Sequence, residues 1–281
     1  MKKKIGIIGA GRLGSALAKE FLQKGMQLTG ISCQDIAESN AAAKKLGVKA
    51  FADNHELAGA SEVIFLTVPD SLINKVAEEL VAKGLRKGTI LLHCSGAISG
   101  FALPFAEGVL RGSFHPLQSF AAEGAKFAGI YIALDGDEQT LKVTRRLCEQ
   151  LAARPLTIPP GDRPLYHAAA VFASNYLITV LSAAEQLFAR WADSETDARG
   201  AVMPLVNGTV ANFAKFGAQK ALTGPIARGD SETIRKHIQV LPVEFIDSYR
   251  NLGIQTVELA RQTGNLPEEK IQEMKSILKG E

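Results

Sequence analysis

The stretch KIGIIGAGRLGSAL, residues 4–17, decides the fold of this chain of 281 residues. It begins with an apolar run typical of a short buried strand, continues through a glycine turn and ends in the first turns of a helix. Gly9, Gly11 and Gly14 have the G-x-G-x-x-G spacing. In that pattern the first glycine permits a tight turn, the second lets the backbone approach a pyrophosphate, and the third allows close packing of the helix. The order strand, turn, helix favours a dinucleotide site over an ordinary tight turn.

The residues of this turn form the centre of the predicted cofactor site. Free N–H groups at the start of a helix, together with the positive end of its dipole, suit a bound phosphate. Ligands of doubly wound sheets bind beyond the carboxyl ends of the strands, where the second and fourth strands also end. The expected cofactor-binding residues are therefore Gly9, Ala10, Gly11, Arg12, Leu13, Gly14, Ser32, Cys33, Gln34, Val68 and Pro69.

The end of the second strand bears on which dinucleotide is bound. NAD sites carry an acidic residue there that holds the ribose hydroxyls, whereas NADP sites carry small polar and basic residues that receive the 2′-phosphate. Here the strand ends in Ser32, Cys33 and Gln34, and Asp35 lies slightly beyond the tip. The lack of an acidic residue at the tip of the strand favours NADP. NAD stays an option, because no arginine follows the strand.

Composition is that of a soluble globular protein, with 46% apolar and 22% charged residues. The net charge of +3 is small and, apart from residues 2–4, the basic residues are spread out, so we expect no nucleic-acid partner. Cys33, Cys94 and Cys148 lack C-x-x-C spacing, which argues against disulfides and a zinc site and favours a reducing cytosol. No metal-ligand spacing is visible among the histidines and cysteines, so no metal is expected.

Targeting and membrane signals are weak. The N-terminus carries no signal-peptide pattern, and we expect a cytoplasmic protein. The most apolar span, residues 168–184, is long enough to be considered as a membrane segment, yet four polar residues interrupt it. Those polar groups and the many alanines favour a buried helix.

The pattern of elements predicts an α/β fold with two domains. Apolar strands alternate with helices up to about residue 158, which indicates an N-terminal doubly wound Rossmann-type parallel sheet. Prolines and glycines crowd residues 155–164, and beyond them the pattern is helical only. We predict a dinucleotide-binding domain over residues 1–160 and a C-terminal all-α domain over residues 161–281.

Two features of the helical half bear on partners and on the site. The predicted helix over residues 166–191 is apolar on most of its circumference, which favours cover by a second subunit and a homodimer through this domain. The loop over residues 221–230 contains glycines, a proline and Arg228. It is interpreted either as a substrate site, with Arg228 binding an acidic group, or as a helix-capping corner in which Arg228 pairs with Asp230.

Polar residues after the fifth and sixth strands are candidate substrate contacts. Ser95 and Gly96 follow the fifth strand, where a hydroxyl and an open backbone could hold a substrate carboxylate, the alternative being a plain turn. His93 is better explained as a core histidine. His115 ends the next strand before a proline and is equally compatible with the cleft and with a structural role.

Motifs across almost the whole chain resemble the Rossmann-like proteins with a DUF2520 domain, in the 6-phosphogluconate-dehydrogenase-like superfamily. The matching stretches are residues 9–14, 68–70, 93–96, 115–118, 166–169, 174–176 and 221–230. Relatives such as ketopantoate reductase, β-hydroxyacid dehydrogenases and pyrroline-5-carboxylate reductase transfer hydride between NAD(P)H and small carbonyl or imine compounds. The resemblance implies that class of reaction, with ketopantoate-reductase-like chemistry as one option. Gln34 departs from similar proteins that carry arginine there, which puts a tight 2′-phosphate clamp in doubt.

The resemblance also implies roles on the long helix. Related enzymes place a lysine and an asparagine at the spacing of His167 and Asn175, so His167 takes the place of the general acid and Asn175 orients the substrate. An imidazole with a pKa near 6.5 suits proton transfer. The alternatives are that His167 caps the helix and that Asn175 ties two helices together.

Two functions follow as hypotheses. The first is an NADP-preferring oxidoreductase that acts on a small anionic carbonyl or imine substrate. The second is a non-catalytic NADP(H)-binding sensor whose helical domain recognises another protein, since the lysine expected in the catalytic position is absent.

Overall fold

The computed structural model describes residues 3–121 and 124–281, and the chain forms two compact units. The first unit ends at Tyr176 and the second spans Leu177–Glu281. Lys2, part of the basic stretch noted in the sequence, lies outside the described residues. The units divide later than the predicted boundary at residue 160, because the helix that begins at Arg163 is tied to the sheet by a buried ion pair.

The first unit is organised around one sheet. Its strands are β1 (Ile5–Ile8), β2 (Leu28–Ser32), β3 (Ala50–Phe51), β4 (Val63–Leu66), β5 (Ile90–His93), β6 (Leu110–Pro116), β7 (Tyr131–Gly136) and β8 (Arg154–Thr157). They lie in the order β3-β2-β1-β4-β5-β6-β7-β8. Every residue of β1, β4 and β5 is buried, as in parallel strands covered on both faces.

The sheet is parallel from β3 to β6 and changes direction at β7. β7 pairs antiparallel with β6, and β8 runs parallel to β7. The prediction of a parallel sheet is therefore confirmed for six strands and wrong at this edge. A parallel crossover needs a covering element, and the described residues between β6 and β7 form no helix.

Helices cover both faces of the sheet. They are α1 (Arg12–Gln23), α2 (Ile36–Leu46), α3 (Asn54–Ala60), α4 (Asp70–Ala82), α5 (Glu138–Gln150) and α6 (Arg163–Val171). Buried side chains of α1, α2 and α5 pack on one face, and those of α3 and α4 pack on the other. The sequence pattern missed α3, since seven residues show no clear helical period.

The second unit is helical throughout its elements. It contains α7 (Leu177–Phe188), α8 (Glu195–Ala221), α9 (Pro225–Arg228), α10 (Ser231–Val240), α11 (Val243–Arg261) and α12 (Glu268–Lys279). Ile234, Val257, Met274 and Leu278 are fully buried at its core. α12, which supplies two of these residues, was not predicted. Asp230 caps α10 by accepting from Thr233, so the loop before it is a helix-capping corner.

The predicted long helix differs from the structure in two ways. It is interrupted after α6 by a π-helical turn, Phe172–Tyr176, before α7 begins. In this single chain the helix is not buried, because its most apolar window has no buried residue within the described chain. By length and composition the segment Pro160–Trp191 could cross a membrane, which is weak evidence by itself. Its apolar surface is not covered by this chain alone.

Candidate functional site

The glycine turn between β1 and α1 has the strained and crowded geometry that its spacing predicts. Gly9 has a φ of +101°, a conformation that favours glycine, and a Cβ there would lie 2.9 Å from the Thr67 backbone. A Cβ on Gly14 would lie 2.0 Å from the Gly9 carbonyl oxygen and 2.5 Å from Thr67 Oγ1. Thr67 Oγ1 donates to that carbonyl at 2.6 Å. The first and third glycines therefore hold α1 close against β1 and β4.

Gly11 is different, because its surroundings are open. A Cβ at this position would meet no described atom within 4 Å, and its φ of −63° is an ordinary one. Gly11 is also the N-cap of α1, and no side chain caps the helix. In contrast, Asp35 and Asp53 cap α2 and α3 with their carboxylates. The N-terminus of α1 is thus open to an anion that approaches the backbone.

A cleft of about 1250 Å³ begins at this helix end. Of the predicted cofactor residues, its wall contains Gly9, Ala10, Gly11, Arg12, Cys33, Gln34, Val68 and Pro69. The other three lie behind it: Gly14 and Ser32 are buried, and Leu13 packs against the core of the sheet.

Charge in this cleft is mainly positive. The described lining includes the cations Arg12, Lys19, Lys45 and Lys75 and the acids Glu38 and Glu79. A volume of this size, an uncapped helix N-terminus and an excess of cations fit a dinucleotide with its phosphates on α1.

The end of β2 carries no acidic side chain that faces the cleft. Ser32 Oγ donates to Asn54 Oδ1 at 2.6 Å, and Asp35 accepts from the Ala37 N–H at 2.7 Å. Asp35 is the acid that the sequence places just beyond β2, and its carboxylate caps α2. Cys33 and Gln34 remain at the cleft wall.

One hydrogen bond links the cleft wall to the turn after β5. Asp70 follows Pro69 directly, and its Oδ2 accepts from Ser95 Oγ at 2.6 Å. The same Ser95 oxygen accepts from the N–H groups of Ala97 and Ile98, at 3.2 and 3.3 Å. Ser95 thus shapes the turn, and its predicted contact with substrate stays a prediction.

Two histidines converge on Gly96, the next residue. A Cβ on Gly96 would lie 2.8 Å from His167 Nδ1 and 3.0 Å from His115 Nε2. His167 Nδ1 is buried and has no hydrogen-bond partner among the described residues. A side chain at residue 96 would therefore press on both ring nitrogens, and one of these nitrogens lacks the partner that buried polar atoms normally have.

His115 is held by a neighbour of His167. Its Nδ1 and the Tyr166 hydroxyl are 2.8 Å apart, with the rings edge to face at a centroid distance of 5.6 Å. Burial, the Arg163 charge and His167 lower the pKa of His115 to about 4. Burial also raises the pKa of Tyr166 to about 12, against an opposing effect of Arg163. Both groups are therefore neutral near pH 7.

A buried ion pair fixes the helix that carries Tyr166 and His167. Arg163 Nε donates to Asp135 Oδ2 at 2.8 Å, and the two side chains are 1% and 2% exposed. Arg163 Nη2 also donates to Ser113 Oγ, and Asp135 Oδ1 accepts from the Gly100 N–H at 2.7 Å. This network joins α6 to β6, which carries His115, and to β7.

The remaining predicted residues lie elsewhere or are structural. His93 is fully buried and its Nδ1 accepts from the Ser95 N–H at 3.2 Å, which fits a core histidine. Asn175 is exposed in the π-helical turn beyond α6. Arg228 is exposed at the end of α9, in the second unit. The roles of Asn175 and Arg228 in substrate binding stay predictions.

Protein stability should depend on pH through the two buried histidines. Burial lowers the pKa of both His93 and His115, the latter to about 4, while an unfolded histidine titrates near 6.5. The unfolded state therefore binds protons that the folded state does not, and stability is lost as the pH falls from about 6.5 towards 4. Urea unfolding of the wild type and His115→Asn at several pH values measures this. Parallel pH profiles for the two proteins would contradict the assignment.

Comparison with known proteins agrees with this architecture. The Rossmann-like domain family matches residues 1–116, and the domain of unknown function DUF2520 matches residues 130–256. The chain combines a Rossmann-like domain with a DUF2520 domain. The Rossmann-like domain contains the glycine turn, Asp70, Ser95 and His115, and the DUF2520 domain contains Tyr166 and His167. Among proteins with curated functions, none matches the sequence significantly.

Several solved structures share the fold over nearly their full length. A protein of Bacteroides fragilis, described as a candidate NADP oxidoreductase, has a TM-score of 0.74 and 21% identity, over 93% of this chain and 98% of its own. Protein TM1727 of Thermotoga maritima has a TM-score of 0.71 and 26% identity, over 92% and 98%. The 1-pyrroline-5-carboxylate reductase of Streptococcus pyogenes has a TM-score of 0.64 and 17% identity, over 98% and 99%.

Three residues of the site were missed or undervalued in the sequence. Tyr166, Asp70 and Arg163 were assigned no role in the chemistry from the sequence. The position of Asp70 could have indicated a role in the site, because Asp70 follows the fourth strand at the edge of the sheet where ligands bind. The partners of Arg163 and Tyr166 are 28 and 51 residues away along the chain, so no local sequence pattern indicates these contacts.

Proposed function

We propose that this protein is an NAD(P)-dependent oxidoreductase that prefers NADP and reduces a small carbonyl or imine compound. The observation that carries the proposal is a cleft linked, through adjacent residues and one hydrogen bond, to a pair of histidines within one unit. An open helix N-terminus begins a cleft whose wall includes Pro69. The next residue in the chain, Asp70, is hydrogen-bonded to Ser95 in the turn that bears Gly96. His115 and His167 flank that glycine.

The cofactor end of the cleft has what a dinucleotide requires. Backbone N–H groups after Gly11, with the cations of the lining, would hold the phosphates, and Cys33 and Gln34 would lie near the adenosine ribose. When bound, NADPH supplies the hydride. The preference for NADP is supported by the engagement of Asp35 in its helix cap, because no acidic side chain at the tip of β2 then lines the cleft.

The histidine end supplies the polar groups that reduction of a carbonyl requires. Because Gly96 has no side chain beside the two histidine rings, a substrate oxygen that approaches there would be hydrogen-bonded by His115 and His167, which would stabilise the developing alkoxide and provide its proton. Asn175 and Arg228 remain candidates to orient the substrate and to bind its anionic group. Resemblance to pyrroline-5-carboxylate reductase leaves a cyclic imine as one substrate type.

Single-turnover oxidation of NADPH across a panel of 2-oxoacids and cyclic imines tests this function. We expect tighter binding of NADPH than NADH, oxidation with at least one panel member, and a large loss of rate in His167→Ala at unchanged NADPH affinity. Failure of both nucleotides to bind, or an unchanged rate in His167→Ala, would overturn the proposal.

The alternative, a non-catalytic NADP(H) sensor, is favoured by one observation. The side chain of His167 stands where relatives carry a lysine, so the catalytic group that the resemblance implies is absent. A sensor should bind NADPH and oxidise none with any panel member, which separates it from the enzyme in the same experiment.

We also propose that the protein is a cytoplasmic homodimer through its helical domain. In the second unit, α7, α8 and the turn between them expose large apolar side chains: Leu177, Ile178, Val180, Phe188, Trp191, Met203, Leu205, Val210, Phe213 and Phe216. Ten such side chains amount to roughly the 800 Å² per partner of a standard interface. Glu185 on α7 accepts from Arg199 on α8 at 2.7 Å, and this charged pair beside the apolar surface favours a protein partner over lipid.

Light scattering on the purified protein tests the dimer. We expect a mass of twice the 30.0 kDa of one chain, and a monomer for Phe213→Glu, because a buried unpaired carboxylate is costly at an apolar interface. Val243→Glu, which changes an exposed residue on α11 outside the patch, is the control and should remain dimeric. A monomeric wild type, or a dimeric Phe213→Glu, would contradict the assignment.

A further inference from the structure

Tyr166 makes one hydrogen bond whose direction has a consequence for the chemistry. We propose that the Tyr166 hydroxyl donates to His115 Nδ1, fixes the proton of His115 on Nε2, and supplies the proton that replaces it during reduction. Tyr166 is thus a positioning residue and a proton reserve for His115. The proposal deepens the function proposed above and rests on it for the hydride step, while the direction of the hydrogen bond can be tested without any turnover.

The direction follows from the partners available to each atom. A neutral imidazole has one N–H donor and one nitrogen acceptor. In the described chain, His115 Nδ1 is the hydrogen-bond partner of the Tyr166 hydroxyl, at 2.8 Å, and no other is found for that hydroxyl. If Nδ1 carried the proton, the half-buried phenol proton would have no acceptor from these residues. Donation from Tyr166 satisfies both groups and leaves the His115 proton on Nε2.

Neutrality of the pair supports this arrangement. Burial keeps the pKa of His115 near 4 and that of Tyr166 near 12, so near pH 7 the bond joins a neutral imidazole to a neutral phenol. The charged or titratable groups that act on His115 besides Tyr166 are Arg163, His167, Asp70 and His93. Asp70 is the one that favours the protonated ring, and burial with the other three outweighs it.

The Nε2–H group then lies beside Gly96. Nε2 lies 3.0 Å from the point where a Gly96 Cβ would stand, and His167 Nδ1 lies 2.8 Å from the same point. The lack of a side chain at residue 96 lets a substrate oxygen approach beside Gly96 and accept from Nε2–H. The other ring nitrogen of His115 stays bonded to Tyr166, so the ring cannot present a lone pair to the substrate without breaking that bond.

A neutral imidazole N–H is by itself a weak acid, which gives Tyr166 its second role. Hydride addition to the substrate carbonyl leaves an alkoxide. The Nε2–H bond breaks as the new O–H bond forms, and the Tyr166 proton moves to Nδ1, so His115 remains neutral and the negative charge passes from the alkoxide to the phenol. The resulting phenolate lies beside Arg163, whose guanidinium carbon is 5.7 Å from the Tyr166 ring centroid. After product leaves, solvent returns one proton to His115 Nε2 and the Nδ1 proton passes back to the phenolate, which restores the starting state.

Nitrogen NMR of histidine-labelled protein tests the tautomer directly. In the wild type we expect His115 with its proton on Nε2 and an unprotonated Nδ1. In Tyr166→Phe the ring loses its donor, and we expect a shift towards the Nδ1–H form or a mixture. A wild-type spectrum with His115 protonated on Nδ1, or an unchanged tautomer in Tyr166→Phe, would overturn the proposal. The wild-type spectrum needs no variant to fold.

The chain offers a matched control in its second unit. His237 Nδ1 and the Tyr249 hydroxyl are also 2.8 Å apart, with rings edge to face at 5.8 Å. Tyr249→Phe should leave the His115 tautomer and the rate unchanged, while Tyr166→Phe should lower kcat at least 100-fold with NADPH affinity retained. Equal rates in Tyr166→Phe and wild type would refute the proton reserve. Absence of NADPH binding would refute the proposed function instead, and the tautomer result would still stand.

Discussion

Arg163→Ala is expected to lower the free energy of unfolding by about 3–5 kcal/mol, the largest effect on stability that we predict for a single side chain. Arg163 and Asp135 are both almost fully buried and joined at 2.8 Å, so removing the guanidinium leaves a carboxylate without its partner in an apolar interior. It also removes the donor to Ser113. Urea unfolding with a two-state fit to the transition of the first unit measures the change.

An exposed ion pair provides the control for this prediction. Lys83 and Asp53 are 2.9 Å apart but remain 56% and 43% exposed, so Lys83→Ala should cost no more than about 1 kcal/mol. Arg163→Lys should recover part of the loss, because it restores the charge without the second donor. A loss below about 1 kcal/mol in Arg163→Ala would show that the ion pair does not anchor α6.

Gly11→Asp is expected to lower the affinity for NADPH without lowering the stability of the fold. Asp is a strong N-cap residue, and the φ of −63° and ψ of −172° at Gly11 suit it, so the variant should be at least as stable as the wild type. Its carboxylate would occupy the open space at the helix N-terminus and repel a phosphate. We expect NADPH affinity, measured by calorimetry, to fall at least 100-fold.

Two further glycine variants serve as comparisons for Gly11→Asp. Gly14→Ala places a methyl group 2.0 Å from the Gly9 carbonyl oxygen, so it should lose stability as well as binding. Gly200→Asp adds the same charge on α8, where a Cβ meets no described atom within 4 Å, and should bind NADPH normally. Retention of NADPH affinity within threefold in Gly11→Asp would mean that the nucleotide does not rest on α1.

Local sequence pattern was sufficient for the part of the fold that holds the cleft. The apolar runs of β1, β4 and β5 predict buried parallel strands, and the spacing of Gly9, Gly11 and Gly14 predicts the turn. These features depend on residues that are neighbours in the chain. Where an element is short, as α3 is, or where strand direction depends on a connection without periodicity, as between β6 and β7, the pattern carries no signal.

The site at Gly96 shows why the rest could not be predicted. Sequence reasoning named Ser95, Gly96, His115 and His167 separately, from their positions after strands or from the resemblance. The pairing of His115 with Tyr166 and of Arg163 with Asp135 arises only when α6 packs on the sheet. The roles expected for His167 and Asn175 also assumed one regular helix, whereas a π-helical turn lies between α6 and α7.

A crystal structure of the protein grown with NADPH tests the central claim most directly. The account predicts the paired phosphates on the N–H groups after Gly11, the adenosine ribose near Cys33 and Gln34, and the nicotinamide ring directed towards Gly96. Nucleotide density at another place, or a cleft without nucleotide at saturating NADPH, would contradict it.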